Sequence, residues 1–123
     1  MLKTSEVQKI TGLSARQLQW WDERGYVCPK IERHRRLYND RQVRALAVIS
    51  ALKDHGVPQT HVLKVVDEDF WKMVALIPSA TTCWLVWMYE DERRLAYFST
   101  PAGAAEFAVK LKSPVTIAEL KTP

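Results

Sequence analysis

Cysteine is scarce in this sequence, and the features of an exported or membrane-spanning chain are missing. Only two cysteines occur, Cys28 and Cys83, which are too few and too far apart for a disulfide framework. The N-terminus has no apolar stretch of the signal-peptide kind. Residues 73–89 carry no charge, but Pro78 and Ser79 interrupt this run, so we interpret it as buried core. These absences predict a protein of a reducing cytoplasm with no membrane partner.

The side-chain arrangements that typify catalytic and metal sites are also missing. No histidine stands in a motif that would activate a cysteine or a serine as a nucleophile. His55 and His61 are six residues apart, which places them on different faces of a helix. The acidic residues 90–92 are typical of a solvated turn. We therefore predict that the chain is not an enzyme and uses no metal or other cofactor.

Glycine is rare, and its positions mark the ends of predicted helices. Three of the four glycines, Gly12, Gly25 and Gly56, stand where a helical pattern stops. The pattern predicts helices at about 5–11, 15–24 and 40–55. The first two are joined by a three-residue turn that contains glycine, which is the arrangement of a helix-turn-helix.

Capping and burial can be predicted for the same helices. We expect Thr4, Ser14 and Asn39 to act as N-caps, because their short polar side chains accept hydrogen bonds from free backbone N–H groups. In the first helix, Val7 and Ile10 are expected to form the buried stripe.

Positive charge is concentrated in the first half of the chain. The net charge is +4, but residues 1–56 hold eleven Lys/Arg against six Asp/Glu, and residues 57–123 hold seven against eight. The most basic segment, residues 30–38, follows the second helix and is predicted to form a hairpin with a basic tip. A first half of net charge +5 is expected to face a polyanion.

The second half predicts a different kind of structure. A helical pattern continues to about residue 77, and from Cys83 to Tyr89 the apolar pattern has a period of two. A charged turn, a strand at 94–99, a helix at about 100–111 and a strand at 115–120 follow. The predicted fold class is therefore α+β, with a winged helix-turn-helix at 1–66 and a small β-β-α-β unit at 67–123. Because the strand at 83–89 is apolar on both faces, both faces must be covered, one of them by the helix at 101–111.

Three motifs of the first half, TGLSARQLQWW, GYVCP and RLY, resemble those of the MerR family of transcription regulators. The family pattern T-G-[VL]-S-x-R-x-L-[RQ]-aromatic-aromatic is matched by residues 11–21, TGLSARQLQWW, and its G-[LY]-[LV]-x-P by residues 25–29, GYVCP. Residues 36–38, RLY, match the wing motif R-x-Y. The apolar spacing of the next helix, ending at Gly56, also matches. The resemblance covers about half of the chain and stops near Val66.

The resemblance implies binding to double-stranded DNA, with the helix at 15–24 in the major groove and the basic wing at 30–38 on the backbone or minor groove. Arginine donates two bonds to guanine and glutamine pairs with adenine, so Arg16 is the best base-reading candidate and Gln17 the next. The expected DNA-binding residues are Ser14, Arg16, Gln17, Gln19, Trp20, Arg33, His34, Arg35, Arg36 and Tyr38.

Two of these positions depart from the family pattern. Trp20 stands where the family has a tyrosine that touches the DNA backbone, and Gln19 stands where it often has arginine. Both departures are expected to weaken phosphate contact. For two of these residues the alternative is a structural role. The alternative for Arg16 is an ion pair with Asp22 or Glu23, and the alternative for Trp20 is a place in the core.

The resemblance does not carry over metal sensing or the family's mode of dimerisation. Metal-sensing relatives have a long dimerisation helix and a cysteine pair near the C-terminus, and this chain has neither. We expect a homodimer that forms through the C-terminal unit. The aromatic residues expected to form a dimer surface, or a site for a small apolar effector, are Trp71, Trp84, Trp87, Tyr89, Tyr97 and Phe98. Core packing is the alternative role for them.

The leading hypothesis is thus a bacterial, cytoplasmic and nucleoid-associated transcription regulator that binds a palindromic site. Two alternatives stay open at this point. One is an excisionase-like or nucleoid architectural protein that bends DNA. The other is a protein-interaction adaptor that uses the aromatic C-terminal unit.

Overall fold

The helices of the first half begin at capping residues that satisfy the free N–H groups of the first turn. The computed structural model describes all residues, 1–123. Ser14 and Asn39 each accept a hydrogen bond from the backbone N–H three residues later, and the Gln17 and Gln42 side chains accept one in return. These two capping boxes confirm the predicted starts of the second and third helices.

The chain forms six helices and six strands. In chain order they are β1 (Leu2–Lys3), α1 (Thr4–Thr11), α2 (Ala15–Glu23), β2 (Lys30–Glu32), β3 (Arg35–Tyr38), α3 (Asp40–Asp54), α4 (Gln59–Leu63), α5 (Glu68–Leu76), β4 (Thr82–Met88), β5 (Leu95–Phe98), α6 (Pro101–Leu111) and β6 (Val115–Lys121).

Two details predicted for α1 are wrong. Thr4 is the first residue of the helix and not its N-cap, because the extended backbone ends one residue earlier, at Lys3. Ile10 is exposed, and Thr11 is buried in its place with its hydroxyl donating to the Val7 carbonyl at 2.8 Å. Polar Thr11 can be buried because its own helix satisfies its hydroxyl.

The strands form two separate antiparallel sheets of three strands each. The first has the order β1-β3-β2 and contains the hairpin expected at 30–38, with Glu32 opposite Arg35. The second has the order β5-β4-β6 and lies wholly in the second half of the chain. Its central strand β4 pairs with β6 over seven residues, from Thr82–Lys121 to Met88–Val115.

A continuous hydrophobic core joins the two halves. Its 25 buried residues run from Val7 in α1 to Leu120 in β6, and the middle of α3 is fully buried within it. On β4, Leu85 and Trp87 face this core. The opposite face of β4, with Val86 and Met88, packs against Ala104 of α6. The expectation that β4 is covered on both faces, one of them by the helix at 101–111, is therefore confirmed.

No helix has both the length and the apolar character needed to span a membrane.

Candidate nucleic-acid interface

The first turn of α2 carries an arginine with no ion-pair partner. Arg16 is exposed and forms no salt bridge, whereas both acidic residues of its helix are engaged elsewhere. Asp22 accepts from the Arg36 Nε at 2.7 Å, and Glu23 accepts from the Gln19 Nε2 at 2.7 Å. The structure thus does not contain the ion pair considered for Arg16 with Asp22 or Glu23.

The neighbouring polar residues of α2 have intramolecular partners. The Ser14 hydroxyl accepts from the Gln17 backbone N–H at 3.1 Å, and the Gln17 Oε1 accepts from the Ser14 N–H at 2.8 Å. The Gln17 amide nitrogen is left without a partner in this arrangement, and one lone pair of its Oε1 is used by the Ser14 N–H. Gln19 is held against Glu23 and stays exposed.

Trp20 lies at the edge of an aromatic cluster. Its ring is stacked with Tyr26 at 6.4 Å between centroids and meets buried Trp21 edge-on at 5.3 Å. The Arg24 guanidinium lies 5.2 Å from the Trp20 ring centroid. Trp20 is half-buried, so it is neither a free surface residue nor a residue of the buried core.

A shallow depression of about 200 Å³ adjoins these side chains. Its lining includes Arg16, Gln17, Trp20 and Gln59, the first residue of α4. Gln59 was not identified from the sequence. Its position near α2 depends on how α4 packs, and no local sequence pattern indicates that packing.

The basic hairpin β2–β3 has two distinct faces. Residues opposite one another in neighbouring strands share a face, so Arg36 lies on one side with Ile31, and Arg35 lies on the other with Glu32 and Leu37. Lys3 of β1 is paired with Leu37 and joins the Arg35 face. Sequence reasoning did not identify Lys3, because a two-residue strand carries no detectable alternation.

Arg36 connects the hairpin to α2. Its ion pair with Asp22 is partly buried, and this hydrogen bond raises the pKa of the Arg36 guanidinium. An ion pair of this kind fixes the orientation of both side chains. The contact joins residues 14 apart in sequence and sets the hairpin against the C-terminal part of the helix.

Tyr38 is placed in the core and not on the hairpin surface. Only 1% of the residue is exposed, and its hydroxyl has no hydrogen-bond partner. Burial raises the pKa of the Tyr38 hydroxyl, so it stays protonated. Its side chain is not presented to a ligand in this conformation.

The tip of the hairpin is a two-residue turn made of Arg33 and His34. Both residues have positive φ, 51° and 66°, in the left-handed region that glycine and asparagine favour. Both are exposed, as is Arg35, and none of the three forms an ion pair. A polar depression of about 300 Å³ beside the tip is lined by Lys3, Thr4, Ser5, His34, Arg35 and Arg36.

The aromatic residues of the second half lie in or against the packed interior. Trp87 is 1% exposed, and its indole N–H has no partner. The Tyr89 hydroxyl lies 2.8 Å from Thr116 Oγ1, and the Tyr97 hydroxyl donates to the Leu76 carbonyl at 3.3 Å. The others pack against a neighbouring side chain or a core cluster; they are Trp71, Trp84 and Phe98. These six residues do not form one exposed surface.

One depression of the second half is lined mainly by charged residues. It has a volume of about 270 Å³ and lies between the α4–α5 region and the turn after β4. The charged residues in its lining are Lys64, Asp67, Asp69, Glu92, Arg93 and Arg94. Such a lining does not suit a small apolar effector, because the charges would lose hydration without gaining partners.

A comparison with protein-family models agrees with the first half of the structure. Residues 2–69 match the model of the MerR HTH family regulatory protein, and no curated protein matches the chain. The matched range begins at β1 and includes α1, α2, the basic hairpin, α3 and α4. The match covers more than half of the chain, so the chain belongs to the MerR HTH family of DNA-binding regulators.

Proposed function

We propose that this chain is a sequence-specific transcription regulator of the MerR type that binds double-stranded DNA. In this proposal α2 enters the major groove, and the β2–β3 hairpin acts as the wing on the backbone or minor groove. The observation that carries it is the state of Arg16, which is exposed in the first turn of α2 while Asp22 and Glu23 are engaged elsewhere.

Arg16 is assigned to base readout. A free guanidinium in the first turn of a groove-bound helix has the geometry for a bidentate contact with guanine. Gln17 has a smaller role in the proposal, because its carbonyl oxygen serves the capping box. Gln19, Ser14 and Trp20 flank Arg16 and are assigned to the DNA backbone.

The residues of the wing have different roles in the proposal. Arg33, His34 and Arg35 are exposed and unpaired, so they are assigned directly to phosphates, together with Lys3. Arg36 is assigned a positioning role, because Asp22 already holds it. Tyr38 anchors the base of the wing in the core.

The proposal includes a homodimer that binds a palindromic site in the bacterial cytoplasm at the nucleoid. Recognition of one half-site by one small module is weak, and a twofold dimer doubles the contacts. The second half, residues 67–123, is assigned to dimerisation.

A selection from random-sequence duplexes tests the proposal. We expect the wild-type protein to enrich a palindromic site. Arg16→Ala is expected to weaken binding to that site by about 1–3 kcal/mol and to relax the preference at one position of each half-site. Arg35→Ala is expected to weaken binding to all sequences about equally, because a phosphate carries no sequence information.

Lys110→Ala is the matched control, since it removes an exposed cation from the second half. It is expected to leave binding unchanged. The proposal is overturned if no sequence is enriched and if Arg16→Ala and Arg35→Ala bind like the control.

A further inference from the structure

Strand β6 is the longest free sheet edge in the molecule. It has seven residues and pairs only with β4, whereas the other edge strands, β1, β2 and β5, have two, three and four residues. Short edges are one way in which proteins avoid pairing with other chains. Neither proline nor glycine interrupts β6.

The hydrogen-bond pattern shows which backbone groups of β6 are free. The Thr122 N–H donates to the Thr81 carbonyl at 2.8 Å, and the Tyr89 N–H donates to the Pro114 carbonyl at 3.3 Å. In an antiparallel pair the residues that exchange hydrogen bonds recur every second position, so the even-numbered residues of β6 face β4. The backbone N–H and C=O groups of the odd-numbered residues therefore point to the open edge; these residues are Val115, Ile117, Glu119 and Lys121.

The side chains of the same odd-numbered residues lie on the face of the sheet that α6 covers only in part. Ala118 and Leu120 face the core and are buried, and Ile117 is on the opposite face. Helix α6 lies over β4 and β5, and Ile117 remains 39% exposed. The edge thus combines unpaired backbone groups with an exposed aliphatic side chain.

We propose that β6 pairs antiparallel with β6 of a second copy of this chain, which joins the two sheets into one sheet of six strands. This deepens the proposed function, since it assigns the surface of the homodimer included there. With Ala118 opposite Ala118 of the second copy, Ile117 stands opposite Glu119 and Val115 opposite Lys121. In this register every outward backbone group of both strands finds a partner.

A second copy suits this edge in its charge as well. Glu119 and Lys121 give the exposed edge one charge of each sign, so two identical edges meet without net repulsion. The apposition also covers Ile117 with the side-chain stem of Glu119. The free backbone groups of β6 would be satisfied by any strand that runs antiparallel to it. The β6 strand of a second copy is always present at the same concentration as the first.

Sedimentation equilibrium without DNA tests the dimer separately from the DNA-binding proposal. We expect the wild-type chain to be a dimer at about 10–100 μM, which is above a dissociation constant of about 1 μM. Ile117→Pro and Ile117→Glu are expected to give monomers, because proline removes an outward N–H and a glutamate would stand opposite Glu119 of the second copy. Ile117→Pro removes only an outward N–H, so the internal ladder with β4 stays intact.

Leu76→Glu is the matched control, because it places the same charge on another exposed apolar residue, which lies in α5. It is expected to remain a dimer. Circular dichroism establishes that each variant keeps its helices and strands. A wild-type monomer, or dimers that persist in both Ile117 variants, would overturn the proposal.

Disulfide trapping tests the proposed register of the two β6 strands independently. It needs no substitution that destabilises the dimer. In a Cys28→Ser background, one preparation carries Ile117→Cys and the other Glu119→Cys. The mixture is expected to form cross-linked dimers upon mild oxidation, in excess of either preparation alone, because these positions oppose each other across the interface. Equal cross-linking in the mixture and in the separate preparations contradicts the proposed register.

Discussion

The two regions of the chain, residues 1–56 and 57–123, place their cations differently. In the first region two of eleven Lys/Arg side chains form ion pairs, Lys30 and Arg36. In the second region three of seven do so, Lys72, Arg93 and Lys110. The first region therefore keeps nine cations without an ion pair and a net charge of +5, whereas the second keeps four and has a net charge of −1.

In the proposed function this difference divides two roles between the regions. The first region attracts DNA, and the second forms the dimer. Unpaired cations raise the potential around the first region and attract a polyanion. The second region has a slightly negative net charge, so it would not attract a polyanion in this way, and in the proposed dimer it would meet another copy without strong repulsion. The two regions nevertheless share one core, and their stabilities are expected to be linked.

The largest expected effect concerns that shared core. Leu46→Ala in α3 and Leu85→Ala in β4 each empty a fully buried site and are expected to destabilise the fold by about 2–5 kcal/mol. Because both residues belong to one core, thermal unfolding followed by calorimetry is expected to remain a single transition in both variants. Leu76→Ala, at a site 68% exposed, is the control and should change stability by less than about 0.5 kcal/mol. Two separate transitions, each shifted by only one variant, would divide the chain into independent regions.

The next largest expected effect concerns the salt dependence of DNA binding, which tests the difference in positive charge between the two regions. If about four to six phosphates are contacted, DNA affinity should fall about 10²- to 10³-fold between about 50 and 200 mM salt. The double change Arg33→Ala and Arg35→Ala is expected to reduce the slope of log K against log salt by about two. The matched double change Lys72→Ala and Lys110→Ala removes two paired cations of the second region and should leave the slope unchanged. Equal losses of slope in the two double variants would remove the distinction between the regions.

The smallest expected effect concerns the ion pair between Arg93 and Asp91 in the second region. Arg93 donates to both carboxylate oxygens of Asp91 at 2.9 Å and lowers the pKa of Asp91 from 3.8 to about 2. Because the folded pKa is the lower one, this pair stabilises the fold above about pH 4, and the stabilisation is lost as the pH falls through about 2. Asp91→Asn is therefore expected to have a lower Tm than the wild type at pH 5, and the difference is expected to become much smaller at pH 2.

Glu92→Gln removes a carboxylate of the same turn that has no ion-pair partner and controls for net charge. A Tm difference between Asp91→Asn and wild type that stays constant from pH 5 to pH 2 would exclude the ion pair as its cause.

Local signals predicted much of the fold because they act over three or four residues. The capping residues Ser14 and Asn39, each followed by glutamine three positions later, predicted the starts of α2 and α3. Alternation over residues 83–89 predicted β4, and its two apolar faces predicted that both would be covered. Ile10 was misplaced because tertiary packing, and not the pattern within α1, decides which residue of the last turn is buried.

The candidate site was less predictable, because its geometry depends on contacts between distant residues. The sequence identified Arg16 and the basic hairpin as candidates, but not that Asp22 holds Arg36 and leaves Arg16 unpaired. Nor did it show that Tyr38, in the same short strand as Arg35, turns into the core. These outcomes depend on how β3 packs against α2. The spacing of residues within either element does not indicate that packing.

The turn at the tip of the hairpin has a consequence for how this protein evolves. Arg33 and His34 both adopt the left-handed conformation, which disfavours side chains other than glycine and asparagine by about 1–2 kcal/mol per residue. An Asn-Gly pair would fold more readily there but would remove the Arg33 guanidinium and the His34 imidazole from the tip. Selection for folding stability and selection for affinity to a polyanion therefore act in opposite directions on the same two codons. Variation at these positions should report which of the two pressures dominates in a given relative.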